Sequence, residues 1–229
     1  MGWEPFALRM AALARDLLKQ ESVNATLERI TTSATELVGG CDAAGILILH
    51  GTAVETLAAT DPLVLESDRL QERSGEGPCF DAARTADGER VFRIPDLTAE
   101  RQRWRGYAPG ARALGVGSMM GFLLYTDDEE PGALNLYARA PGAFDDDGEL
   151  AGWLLASHSA VALSGARTHA QLEHAVATRH TIGEAMGILV GSRVLTEEQA
   201  FDVLRRHSQE NNVKLRDVAR RLCEHGELG

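Results

Sequence analysis

The chain has 229 residues, 44% of them hydrophobic and 5% aromatic, with a formal net charge of −11. That length makes one large domain or two smaller ones, and the apolar fraction excludes wholesale disorder. No run reaches the ~18 apolar residues of a membrane span, the start Met1-Gly2-Trp3-Glu4-Pro5 lacks a secretory pattern, and cysteines stand only at 41, 79 and 223 without a CxxC pair, so a soluble cytoplasmic protein with neither disulfide framework nor zinc site is expected.

Residues 1–38 read as two helices, with Phe6, Met10, Leu13 and Leu17, then Leu27, Ile30, Ala34, Leu37 and Val38, at helical spacing. Ser22 is the expected cap of the second helix and Gly39-Gly40 its stop. The pattern then changes to period two and short apolar runs. Strands are expected at 44–49 and 54–59, joined at Gly51-Thr52, and at 90–94 before Pro95. A hairpin of 116–125 and 133–137 follows, across the loop 126–132. Asp61 to Arg73 reads as polar and irregular, with at most a short helix, and Arg101 to Ala113 as helical around Trp104 and Ala108. Five strands with helices before and after them imply an α+β sheet domain with helices on one face.

The helical pattern returns at Asp145-Asp146-Asp147, an acidic stretch suited to a helix N-terminus. Glu149 to Val190 contains no proline, and heptad positions 154, 161, 168, 175, 182 and 189 are apolar at five places of six. Unbroken, that helix would extend about 63 Å at ~1.5 Å per residue, longer than a small domain is wide. It is expected to bridge two parts or to pair with a second chain, with Ser164-Gly165 as the place where it could break. Thr196 and Gln199 then have capping-box spacing, and Ala200, Val203, Leu204 and His207 share one side of the helix that follows. Asn211-Asn212 turns the chain, and Leu215, Val218, Ala219 and Leu222 mark a last helix. The C-terminal unit is expected to be a three-helix bundle.

Charge is divided unevenly between these parts. Residues 1–167 hold 15 basic and 25 acidic side chains, while residues 168–229 hold 8 and 9. Near the end, Arg205, Arg206, Lys214, Arg216, Arg220 and Arg221 outnumber Asp202, Glu210 and Asp217. The two parts therefore suggest different partners.

Specific residues carry a resemblance. Arg179-x-x-Ile182-x-x-Ala185-x-Gly187-Ile188-Leu189-Val190, Glu198-x-Ala200-Phe201-x-x-Leu204-Arg205, Ser208, Asn212 and Lys214-Leu215-x-Asp217-Val218-Ala219 resemble the ANTAR domain, an RNA-binding module of bacterial antitermination regulators. Gly75-Glu76-Gly77-Pro78-Cys79, Asp96-Leu97, Arg103-Trp104, Gly115-Val116, Gly132 to Tyr137 and Gly142 to Asp145 resemble, in that order, the GAF domains that precede ANTAR domains. The resemblance implies an N-terminal helix over 1–21, a GAF-like sensor over 22–144, a closing helix over 145–167 and an ANTAR-like RNA-binding bundle over 168–229. It implies a signal-responsive antitermination regulator, not an enzyme, acting as a homodimer on tandem stem-loops of a nascent transcript, with a small-molecule effector in the sensor. Met186 and Val190 stand where the family usually has lysine and methionine, which removes one phosphate contact.

The candidate RNA-binding set is Arg179, Gly187, Arg205, Arg206, Ser208, Asn212, Lys214, Arg216, Arg220 and Arg221. Arg216 and Arg220 are i, i+4 neighbours opposite the apolar face of the last helix, and a guanidinium can fork onto phosphate or stack on a splayed base. A solvated face carrying ion pairs with Asp217 and Glu224 is the competing reading. Phe201, the only aromatic nearby, is expected to be buried. Gly183, Gly187 and Gly191 fall four apart, implying either close packing against the Phe201 helix or close approach of nucleic-acid backbone. Leu154, Val161, Leu172, Ile182 and Leu189 are the dimer and linker candidates, and Cys79, Phe80 and Trp104 the candidate pocket lining. Cys79 reads as an inert packed thiol, no histidine spacing makes a metal site, and no cofactor or catalytic constellation stands out. A DNA-binding regulator and an adaptor acting through protein partners are the alternatives.

Overall fold

The computed structural model describes residues 3–84, 91–99, 103–124, 132–193 and 195–227. The chain divides into two compact units, 1–167 and 168–229, with the boundary inside its longest helix.

The first unit opens with α1 (Trp3–Leu17) and α2 (Val23–Leu37). Ser22 caps α2 by accepting from the Ala25 N–H at 3.1 Å. Strands β1 (Ala43–His50) and β2 (Ala53–Ala59) follow, then α3 (Pro62–Ser74), α4 (Pro78–Arg84), β3 (Val91–Ile94), α5 (Ala108–Ala113), β4 (Ser118–Leu124) and β5 (Gly132–Ala138). The sheet order is β2-β1-β5-β4-β3, and every neighbouring pair is antiparallel. Arg90, Arg101, Tyr125 and the loop 126–131, part of the expectations above, lie outside the described residues.

Three expectations are corrected. Helices cover both faces of the sheet, because β1, β4 and β5 alternate between two buried sides. Ile46, Phe122 and Leu134 pack with Phe6, Ile30 and Leu155, from α1, α2 and the helix after the sheet. Their odd-numbered neighbours Met119 and Tyr137 pack with Val64 of α3 and Ala111 of α5. Leu47 and Ala133 meet Cys79 and Phe80 of α4. The supposedly irregular stretch 61–73 is the 13-residue helix α3. Asp61 caps it by accepting from the Leu63 N–H at 2.8 Å, Pro62 stands in its first turn, and Gly75 closes it with φ of +62°. Finally, of the helix expected over 101–113, residues 103–107 are not helical and α5 begins at Ala108, with Pro109 in its first turn.

One glycine has a steric role in the sheet. Gly121 pairs with Phe92 across β4 and β3, and a Cβ there would stand 1.8 Å from the Phe92 ring. The ring lies over the bare backbone and fills the place of a side chain.

Helix α6 (Asp146–Arg193) runs without a break at Ser164-Gly165. Asp145 accepts from the Gly148 N–H at 2.8 Å, so the acidic start caps the helix. Among the described residues, no helix is long and apolar enough to cross a membrane. In the second unit, the end of α6 packs with α7 (Glu197–Glu210) and α8 (Leu215–His225) around Ala185, Leu189, Ala200, Leu204, Val218, Ala219 and Leu222.

Candidate functional site

The second unit carries its chemistry on the outside. Helix α7 is fixed at its start by the capping box: Thr196 Oγ1 accepts from the Gln199 N–H at 3.2 Å, and Gln199 Oε1 accepts from the Thr196 N–H at 2.9 Å. The turn into α8 is closed by a reciprocal pair. Ser208 Oγ donates to the Val213 carbonyl at 2.6 Å, and the Val213 N–H donates to the Ser208 carbonyl at 3.0 Å. Asn212 takes φ of +51° between them, a conformation Asn tolerates. Ser208 and Asn212 thus shape the turn that sets the direction of α8.

Because Val218, Ala219 and Leu222 fill the core side of α8, Arg216, Arg220 and Arg221 face outward and are exposed, as are Lys214, Arg205 and Arg206. Several are paired. Arg205 donates to Asp202 at 2.8 Å, Arg220 donates to Asp217 at 2.8 Å, and Arg216 Nε lies 3.9 Å from Asp217. Such surface pairs, the first two at i, i+3 spacing, are weak and are easily exchanged for a phosphate. The structure therefore contains both the cationic surface and the ion-paired face that compete in the sequence. Asp202 and Asp217, not Glu224, are the carboxylates that these arginines meet among the described residues.

The structure brings Arg179 and Arg216 together across an open groove of about 690 Å³. Its floor is Ile182, Met186 and Phe201. Arg216 Nη1 lies 2.7 Å from His174 Nε2, and since a guanidinium only donates, the ring nitrogen is the acceptor of that contact. Phe201 corrects the sequence reading: it is 38% exposed and lies outside the bundle core. Position 201 sits about 100° around the helix from the buried Ala200, a displacement a helical wheel would have exposed. His174 is the other participant that sequence reasoning missed, and its pairing with a residue 42 positions away left no local signal.

The glycine stripe is also corrected. An added Cβ at Gly183, Gly187 or Gly191 meets nothing within 4 Å, so these residues do not pack against the Phe201 helix. The linker candidates separate. Ile182 and Leu189 belong to the bundle interior, whereas Leu154, Val161 (75% exposed) and Leu172 (61% exposed) stand outside.

In the first unit, the pocket candidates are buried in two different clusters, Cys79 and Phe80 in one and Trp104 in the other. Trp104 reaches α4 through its indole N–H, which donates to Asp81 at 2.9 Å. Around Cys79 lies a buried polar network. Gln71 accepts from the Cys79 N–H at 3.0 Å and points its amide nitrogen at Cys79 Sγ at 3.3 Å, while Asn135 Nδ2 lies 3.1 Å from the same sulfur. Asp68 accepts from Thr56 at 2.8 Å and from Tyr137 at 3.3 Å, and Ser67 bonds Tyr107 at 2.9 Å. Burial pushes the Asp68 carboxyl up to about 6 against the lowering effect of its two hydroxyl donors. Burial, followed by the Asp68 charge, pushes the Cys79 thiol up to about 12, and the Tyr107 and Tyr137 phenols are raised mainly by the same desolvation. A thiol held this far from ionisation is a poor nucleophile. Asn135 Oδ1 is buried with no hydrogen-bond partner among the described residues.

Residues 20–164 match the GAF domain family and residues 170–222 match the ANTAR domain. The two domains make this chain a regulator, in which a sensor-type domain precedes a domain of the RNA-binding antitermination class. The chain belongs to the GAF family and has the GAF–ANTAR architecture. Its fold is similar to the GAF domain of a phosphoenolpyruvate-protein phosphotransferase from Coxiella burnetii (TM-score 0.55, 14% identity, covering 75% of this chain and 99% of that one). It is likewise similar to free methionine-R-sulfoxide reductase from Neisseria meningitidis, solved with its substrate (TM-score 0.54, 15% identity, 72% and 91%). A third similar structure is the chromophore-binding domain of the bacteriophytochrome RpBphP3 from R. palustris (TM-score 0.55, 11% identity, 72% of this chain). The match spans 63% of the length of that domain. At these identities the likeness is one of fold. No curated protein matches the sequence.

Proposed function

We propose that this chain is a signal-responsive antitermination regulator whose C-terminal bundle binds stem-loops in nascent RNA under the control of the sheet domain. The observation that carries this reading is the outward basic set of α7 and α8, in a unit that matches the ANTAR domain. Arg205, Lys214, Arg216 and Arg220 offer phosphate contacts, and Arg179 extends them along α6. Ser208 and Asn212 act as positioning residues through the turn. Asn135 reaches Cys79 through Nδ2, and its buried Oδ1, without a hydrogen-bond partner among the described residues, supports a small polar effector in the sensor.

The same reading has the chain act as a homodimer through α6. Leu150, Val161 and Leu172 are exposed and stand 11 residues apart, as do Leu154, Gly165 and Val176. Eleven residues come within about 20° of three full helical turns, so this spacing keeps a stripe in line better than unrelated positions do. Pairing two bundles on one transcript raises their effective concentration for tandem hairpins.

The test is binding of the full chain to labelled tandem hairpin RNA and to duplex DNA at two salt concentrations. Saturable, loop-dependent RNA binding that weakens with salt is expected. Arg216→Ala with Arg220→Ala should weaken it at least about tenfold and lower the slope of log affinity against log salt by up to about 2, with little change in melting temperature. Preference for duplex DNA, or no nucleic-acid binding at all, would favour the DNA-binding or the protein-adaptor reading instead.

A further inference from the structure

We propose that the groove between Arg179 and Arg216 receives one unstacked nucleobase of an RNA loop, with Phe201 as its stacking platform. This rests on the RNA-binding reading above and assigns it a base-recognition site. The groove holds about 690 Å³, is floored by Ile182, Met186 and the half-exposed Phe201 ring, and has no acidic residue in its lining. In a chain of net charge −11, a recess with an apolar floor and cations at its rim is matched to a flat group attached to an anion. A nucleotide has that chemistry: an aromatic face to lie on Phe201 and phosphates for Arg179 and Arg216.

Two further details fit. His174 holds the Arg216 guanidinium at 2.7 Å, fixing its plane at the rim before any ligand arrives. On the wall, Gly183 presents bare backbone with nothing within 4 Å of its absent Cβ, which leaves room for a sugar–phosphate chain beside the helix. Met186 contributes to this floor as an apolar, polarizable contact, where a cation would have added only charge. Recognition in this chain then combines phosphate contacts with stacking, the mode by which splayed loop bases are read.

The experiment uses the full chain and a tandem hairpin carrying 2-aminopurine at successive loop positions. Wild-type protein is expected to change the fluorescence at one position, and Phe201→Ala to abolish that change. Phe201→Ala should also weaken binding by about fivefold or more while keeping the wild-type salt slope, because no charge is removed. Phe201 lies outside the bundle core, so the alanine variant is expected to melt like wild type. Phe201→Trp, which keeps an aromatic face, should restore both affinity and the fluorescence change. Wild-type affinity and fluorescence in Phe201→Ala would overturn the assignment while leaving RNA binding intact. If that variant instead sediments at a lower mass, the groove is a contact between copies of the chain. A wild-type chain that binds no hairpin would overturn the underlying reading, and the groove's role with it.

Discussion

The two units treat polar groups in opposite ways. The sheet unit buries them: Ser67, Asp68, Gln71, Ser118 and Asn135 are almost completely enclosed, and most are satisfied by one another or by nearby hydroxyls, carbonyls and the Cys79 sulfur. Among the described residues, the C-terminal unit buries none. Its core is seven buried apolar residues, while the arginines of α7 and α8, the Phe201 ring and Gly183, Gly187 and Gly191 lie at the surface. A buried polar network is sensitive to anything that protonates, rehydrates or displaces one of its members. A small apolar core with a charged exterior gains little from such inputs and is suited to presenting a fixed surface. The physical division of labour matches sensing in one unit and recognition in the other.

The largest expected effect tests whether the units are energetically separate. Leu204 is fully buried in the bundle core, and Leu204→Ala should cost about 2–5 kcal/mol there. For so small a core that approaches the whole stability of the unit. Calorimetry of the full chain should show the bundle transition lost or far lower, with the transition of the sheet unit in place. A matching shift of both transitions would break the comparison, since it would mean one cooperative structure.

The next effect concerns Asp68. Its folded-state pKa of about 6 lies above the ordinary aspartate value of 3.8, so between the two the folded unit holds a proton that the unfolded chain releases. The associated stability is present below the unfolded pKa and is lost as pH rises through about 6. With Asp68 only 2% exposed, the loss is on the order of 3 kcal/mol. Asp68→Asn keeps the shape without the ionisation. Its denaturation midpoint relative to wild type should therefore rise between pH 4 and pH 7, even though other carboxylates give both proteins a background slope. A constant difference across that range would show that the fold does not raise the Asp68 pKa.

The same network explains what was legible in the sequence. Strands β1, β4 and β5 are legible as short apolar runs, and α2 and α7 by their Ser22 and Thr196 caps. Helix α3 escaped because its buried face is Leu63, Val64, Ser67, Asp68 and Gln71, whose polar members break the apolar period. Its signals were at the ends, in Asp61-Pro62 and Gly75. The basic set of α8 was readable because an apolar stripe fixed the opposite side, whereas the groove was not, since it joins His174 and Arg179 to Phe201 and Arg216 across three helices. Two-sided coverage of the sheet was hidden for the same reason that α3 was.

The smallest effect concerns Gly187, and its two readouts are expected to move in opposite directions. A glycine inside a helix costs roughly 1 kcal/mol relative to alanine, through backbone entropy. Packing cannot account for it here, because a Cβ at Gly187 meets nothing within 4 Å. Gly187→Ala should therefore raise the melting temperature of the bundle, by an amount equivalent to about 0.5–1 kcal/mol. If RNA backbone lies along this stripe, the same methyl group weakens hairpin binding while the salt slope stays near wild type, because only close approach is disturbed. A more stable variant with unchanged RNA affinity would move the contact away from Gly187 and confine recognition to the arginines and the Phe201 groove. Lower stability would instead mean that the helix is displaced here, and that the open space over the stripe is not retained in solution.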